Sequence, residues 1–165
     1  MALLHIYDSS DWTIRLTAGR RGAANSLGCP DLQTLMNGLD AFVQANTQFD
    51  RILFETHGGP GVIGFGNYTV NAQTLRAMIA RRYTALAGPN ARVYFNGCNV
   101  AEGTAGWAFL EAAAALFLTV GGGQVFGQTS LGLANPFNGH VVHLWGSTRT
   151  LFVDSGGRVI ERFEQ

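Results

Sequence analysis

A histidine and a cysteine stand in matching surroundings in this sequence. His57 directly follows the apolar run 51–56, and Cys98 lies two residues beyond the apolar run 92–95. A thiol beside an imidazole can pass its proton to the ring and become a strong nucleophile toward carbonyl carbon. The pair therefore predicts thiol catalysis, with Cys98 as the nucleophile and His57 as the base.

Glycines accompany both residues, since Gly58 follows the histidine and Gly97 precedes the cysteine. Glycine lets the backbone approach a substrate closely and leaves amide N–H groups available to a developing oxyanion. We expect the N–H groups of Gly58 and Cys98 to form the oxyanion hole. A helix predicted from about Thr104 would place the positive end of its dipole near the thiol.

The elements that must position these residues alternate along the middle of the chain. Helices are predicted after the capping residues Asp31 and Asn71 and from Thr104, and strands at 3–7, 51–56, 92–95 and 124–128. This alternation predicts a single α/β domain with a mostly parallel sheet covered by helices. Functional groups collect at the carboxyl ends of such strands, which places His57 and Cys98 at one crevice.

Four further segments complete the prediction. Residues 12–17 alternate as a strand would, and the glycine-rich stretch 18–30 is predicted to be a loop. Residues 57–61 should end strand pairing because of their glycines and proline. A terminal β meander is predicted from the short β-rich runs at 140–145, 150–154 and 158–163.

The motifs His57-Gly58 and Asn96-Gly97-Cys98 resemble the His-Gly and Gln-Ala-Cys elements of caspases and of related legumains and gingipains. The likeness runs loosely from residue 3 to residue 130, and residues 97–103 are particularly similar to bacterial caspase-like domains. It implies a three-layer α/β/α sandwich, with His57 as general base and acid and Cys98 as the acyl acceptor. An asparagine at position 99 departs from caspases, which carry arginine there.

The same resemblance implies a substrate pocket. Asn96 stands where caspases carry glutamine and would line the pocket for the residue before the cleaved bond. Arg20 and Arg21 lie near the position of the caspase arginine that selects acidic substrates, and they could hold a carboxylate. The alternative is a solvated pair of loop arginines.

Other candidate residues have simpler interpretations. Glu55 lies on the same strand face as His57 and could orient the imidazole, or it could be an ion-paired acid. Cys29 has no metal-ligand spacing to another cysteine and is interpreted as structural. His140 and His143, three positions apart, fall on opposite faces of a strand and form no local metal pair. We expect neither a metal nor an organic cofactor.

Composition limits the partners. Hydrophobic residues form 47% of the chain, and eleven basic residues balance eleven acidic ones. Without a basic patch, nucleic acid is not an expected partner. The N-terminus lacks the features of a signal peptide and the apolar stretch 105–120 is too short to span a bilayer, so we expect a cytoplasmic protein without membrane attachment.

Three functions follow from these patterns. The first is a cysteine endopeptidase acting on a protein or peptide substrate, with a homodimer through an edge strand as a possible assembly. The second is a caspase-like domain without turnover that serves as a binding or regulatory module. The third is a flavodoxin-like module that binds a small ligand at the strand ends.

Overall fold

A computed structural model describes residues 1–135, 137–138 and 140–165. Two short 3₁₀ turns, Ile79–Arg81 and Tyr83–Leu86, lie between the third helix and the seventh strand. The helices and strands follow one another in the order β1 (Leu3–Asp8), α1 (Trp12–Arg21), β2 (Asn25–Cys29), α2 (Leu32–Gln44), β3 (Phe49–Glu55), β4 (His57–Gly59), β5 (Val62–Phe65), β6 (Tyr68–Asn71), α3 (Ala72–Ala77), β7 (Ala87–Phe95), α4 (Gly103–Phe117), β8 (Gly123–Gln128), β9 (Leu131–Ala134), β10 (Val141–Leu144), β11 (Thr148–Val153) and β12 (Val159–Glu164).

Seven of the strands in the described residues form one sheet in the order β12-β11-β8-β7-β3-β1-β2. The strands from β8 to β2 pair in parallel, and β11 and β12 join the other edge in antiparallel orientation. This arrangement confirms the prediction of an α/β domain with a mostly parallel sheet.

Alternation along the central strands assigns the two faces of the sheet. Ile52 and Phe54 of β3 belong to the main core, where the Phe54 ring stacks on Phe95 and lies beside Phe117 of α4. The next residue, Glu55, points to the opposite face, where Thr17 of α1 contacts it. Helices therefore cover both faces, with α1 opposite α2 and α4.

Side-chain caps begin three of the helices. Asp31 accepts a hydrogen bond from the Thr34 N–H at the start of α2, and Asn71 forms a capping box with Thr74 at the start of α3. Both caps confirm the sequence prediction. Within the described residues, every helix is too short or too polar to traverse a lipid bilayer.

The prediction of a strand at 12–17 and a loop at 18–30 is wrong. Asp11 caps a helix there, because its carboxylate accepts hydrogen bonds from the N–H groups of Thr13 and Ile14. Gly22, with a φ of 62°, ends α1 in the left-handed conformation, and β2 follows at the sheet edge. The alternation of polar and apolar residues misled the prediction, whereas the capping aspartate was the better signal.

Two other predictions need correction. The glycines after His57 do not end strand pairing, because β4 pairs antiparallel with β5 in a small sheet of β4, β5 and β6. The C-terminal strands do not form one meander either. In the described residues, β10 pairs with β9 in a separate hairpin, while β11 lies between β8 and β12 in the main sheet.

Candidate active site

The backbone beside His57 lies directly against the segment that carries Cys98. A Cβ atom placed on Gly58 would come within 2.7 Å of the Cys98 carbonyl oxygen and within 2.6 Å of Val100. A Cβ atom on Gly97 would come within 3.2 Å of the Gly58 Cα. Only glycine fits this contact at the ends of β3 and β7, which pair in parallel in the main sheet.

Cys98 lies beneath the β9–β10 hairpin. Its half-buried Sγ accepts a hydrogen bond from the Gly132 N–H at 3.3 Å, and the thiol points back to the Gly132 carbonyl oxygen at 3.8 Å. The neighbouring Asn99 N–H donates to the Ser130 carbonyl oxygen at 2.9 Å. The hairpin, rather than α4, therefore covers the thiol.

His57 is paired with an acid from another part of the chain. Its Nε2 lies 3.1 Å from the Asp11 Oδ2, and the ring is largely exposed, at 68% of its side-chain surface. The Ile14 N–H at the start of α1 and the hydrogen bond with His57 both lower the pKa of Asp11. The aspartate is therefore ionised at neutral pH and can hold the imidazole in one orientation.

Glu55, the acid that the sequence offers for this role, has other partners. Glu55 is buried, and its Oε2 instead lies 2.8 Å from the His5 Nε2 and 3.2 Å from the Arg21 guanidinium. This matches the alternative of an ion-paired acid. Asp11 was missed because residues 12–17 were interpreted as a strand, which concealed the helix start that places the aspartate beside His57.

A cavity of about 210 Å³ adjoins the histidine and the hairpin. Asn96 contributes to its wall. Residues 18–30 do not line it in the described part of the chain. The described residues around the cavity come from the start of α1, the end of β3, the β7 end and the hairpin: Asp11, Thr13, Ile14, Thr17, Glu55, Thr56, His57, Asn96, Gly132, Leu133 and Val141.

The two arginines have separate surroundings. Arg21 lies at the end of α1 and pairs with Glu55, which lines the cavity. Arg20 borders a shallow depression on the outer surface of α1, together with Trp12 and Leu16. Neither arginine is among the described residues that line the cavity beside His57.

The remaining candidates do not form a metal centre. No cluster of three or more potential metal ligands occurs among the described residues. Cys29 is fully buried, and burial, with smaller effects from Asp31 and Asp8, raises the pKa of its thiol to about 12. His143 lies opposite Gly132 in the hairpin, where burial lowers its pKa, and His140 precedes β10.

Comparison with known proteins gives one match. No curated protein and no solved structure matches the chain. The family model described as a domain of unknown function (DUF4347) matches residues 10–120, about two-thirds of the chain. The matched segment contains Asp11, His57 and Cys98. The chain therefore belongs to the DUF4347 family.

Proposed function

We propose that this domain is a cysteine peptidase of the caspase-like kind, with Cys98 as the nucleophile and His57 as general base and acid. The observation that carries the proposal is the contact between the Gly58 and Gly97 backbones, which joins the histidine strand to the cysteine segment. The sheet order and the helices on both of its faces support the caspase-like resemblance. The substrate would be a protein or a peptide.

The proposed reaction has two stages. In the first, the Cys98 sulfur attacks the scissile carbonyl carbon while His57 takes the thiol proton. The tetrahedral oxyanion is held by the N–H groups of Gly58 and Cys98. The C–N bond then breaks, the proton passes from His57 to the leaving amine, and a thioester remains.

Water completes the cycle. His57 removes a proton from the water molecule as its oxygen attacks the thioester carbonyl. Cleavage of the C–S bond releases the carboxylic acid, and the sulfur regains the proton. Asp11 acts here as a positioning residue, because its carboxylate contacts the imidazole rather than the substrate.

A second candidate function is a binding module without turnover. The hydrogen bond between the Gly132 N–H and the Cys98 Sγ favours it, because the hairpin occupies space beside the thiol where a scissile carbonyl would have to lie. As a peptidase, the protein must therefore move the β9–β10 hairpin when substrate binds. As a binding module, it would keep the hairpin in place.

Peptide cleavage tests the choice between these functions. A library of fluorogenic peptides should be cleaved by the unaltered protein and left intact by Cys98→Ala and His57→Ala. Cys29→Ala is the matched control, since it removes the other thiol and should retain cleavage if the fold tolerates the smaller side chain. Cleavage that survives Cys98→Ala would refute the proposed nucleophile, and no cleavage of any peptide would favour the binding module.

A further inference from the structure

The cavity beside His57 carries negative charge at its wall. Asp11 and Glu55 both line it, and no lysine or arginine lines it within the described residues. Asn96 adds a neutral amide at the end of β7. Because the same cavity borders His57 and the hairpin residue bonded to Cys98, it lies where a side chain next to the cleaved bond would enter.

The charges near the cavity do not balance. Arg21 pairs with Glu55, whereas the contact of Asp11 is with the imidazole of His57, which must be neutral to act as a base. Glu55 also contacts the His5 imidazole, and the carboxylates of Asp11 and Glu55 thus have one guanidinium between them. The carboxylates of Asp11 and Glu55 would repel a substrate carboxylate here, whereas they would attract a substrate cation.

Glu55 also has hydrogen-bonding capacity toward the cavity. Its Oε2 is occupied by His5 and Arg21, whereas its Oε1 has a long contact of 3.4 Å with the Thr17 hydroxyl. Glu55 is only 2% exposed, so a cation that binds its carboxylate forms a charge-assisted hydrogen bond in a poorly solvated site.

The rest of the wall suits a long side chain with a charged tip. Ile14, Leu133 and Val141 give the cavity apolar surface on the sides formed by α1 and the hairpin. The methylene stem of lysine or arginine packs well on such surface while its charged group extends to polar partners.

From these features we infer that the cavity selects an arginine or lysine side chain immediately before the cleaved bond, with Glu55 as the specificity-determining residue. The inference rests on the proposed peptidase function. It replaces the expectation that Arg20 or Arg21 would select acidic substrates, since Arg21 is bound to Glu55 and neither arginine lines the cavity.

Matched peptides measure this selection directly. Four fluorogenic peptides would differ only before the cleaved bond, which carries arginine, citrulline, aspartate or leucine. Citrulline has nearly the shape of arginine without its charge. We expect kcat/KM for arginine to exceed that for citrulline and aspartate by about 100-fold, because only arginine brings a positive charge toward the two carboxylates. Equal rates for arginine and citrulline, or faster cleavage after aspartate, would overturn the inference.

Two variants that change the charge of the cavity wall in opposite directions test whether this cavity selects the side chain. Glu55→Gln should lower the arginine-to-citrulline ratio by about tenfold, and Asn96→Asp should raise it, because the first removes a negative charge and the second adds one. Glu161→Gln, an exposed position on β12, is the control and should leave the ratio unchanged. If Glu55→Gln does not fold, Asn96→Asp decides alone, and an unchanged or lower ratio in that variant would contradict the inference.

A binding measurement separates this inference from the peptidase proposal. Benzamidine, a small aromatic cation, should bind Cys98→Ala, with calorimetry as the readout, and binding should weaken in the double variant Cys98→Ala/Glu55→Gln. Benzamidine binding without cleavage of any peptide would support the cationic pocket and refute the peptidase. Peptide cleavage without benzamidine binding or arginine preference would support the peptidase and refute the pocket.

Discussion

Asp11 holds His57 and the first turn of a helix with the two oxygens of one carboxylate. Its Oδ1 accepts hydrogen bonds from the Thr13 and Ile14 N–H groups at 2.8 and 2.9 Å, and its Oδ2 lies 3.1 Å from the His57 Nε2. The orientation of the imidazole is thereby coupled to the start of α1. Substitutions at this aspartate can separate its structural contribution from its contribution to catalysis.

Asp11→Asn and Asp11→Ala should differ in stability and agree in activity. Asparagine is as good a helix cap as aspartate, so Asp11→Asn should unfold near the wild-type urea midpoint, whereas Asp11→Ala should lose about 1 kcal/mol. Both variants remove the carboxylate beside His57, and we expect kcat/KM to fall at least about tenfold in each. Full activity in Asp11→Asn would contradict the positioning role.

The lowered pKa of Asp11 predicts a specific loss of stability in acid. The folded state holds the ionised carboxylate, so its contribution is complete above the unfolded pKa of about 3.9 and disappears as the pH falls through the lower folded value. The stability difference between wild type and Asp11→Ala should therefore shrink as the pH falls from 5 toward 2. Urea titrations at several pH values measure this difference, and a constant difference would contradict the assignment.

The two cysteines should react at very different rates with iodoacetamide. Cys29 is fully buried with a thiol pKa of about 12, so it should remain unlabelled in folded protein at pH 8. Cys98 is half-buried beside the segment that carries His57, and mass spectrometry should find it labelled first. In His57→Ala the labelling of Cys98 should slow, because the base that accepts its proton is gone. If Cys98 is labelled at the same rate in His57→Ala as in wild type, the dyad is wrong.

Loosening the β9–β10 hairpin should expose Cys98. A Cβ atom on Gly132 would come within 2.8 Å of Val141 and 3.0 Å of His143 in the opposite strand, so Gly132→Ala should force the two strands apart. We expect the labelling rate of Cys98 to rise several-fold. Gly19→Ala is the control, because a Cβ atom there meets nothing within 4 Å. Equal labelling rates in both variants would show that the hairpin does not limit access to the thiol.

Sequence reasoning predicted the parts of the site that depend on local chain signals. Apolar runs followed by glycine located the ends of β3 and β7, and with them His57 and Cys98. The hairpin over Cys98 could not be predicted, because β9 has only four residues and contacts the thiol through a backbone N–H group. The pairing of Glu55 with Arg21 could not be predicted either, because Arg21 reaches the carboxylate across the layer between α1 and the sheet.

The order of strands in the main sheet has a consequence for folding during synthesis. Each parallel pair joins strands that are separated by a long stretch of chain. The parallel part of the sheet, from β2 to β8, therefore depends on non-local contacts that form slowly. Until residues 123–128 leave the ribosome, β7 has an unpaired edge, and after that β8 has one until β11 arrives. The last two strands pair locally around a tight turn, in which Asp154 accepts hydrogen bonds from the Gly156 and Arg158 N–H groups. A nascent chain that stalls before this turn would therefore leave the β8 edge open to other chains. In the finished sheet the C-terminal hairpin covers that edge, and β12 becomes the outer strand.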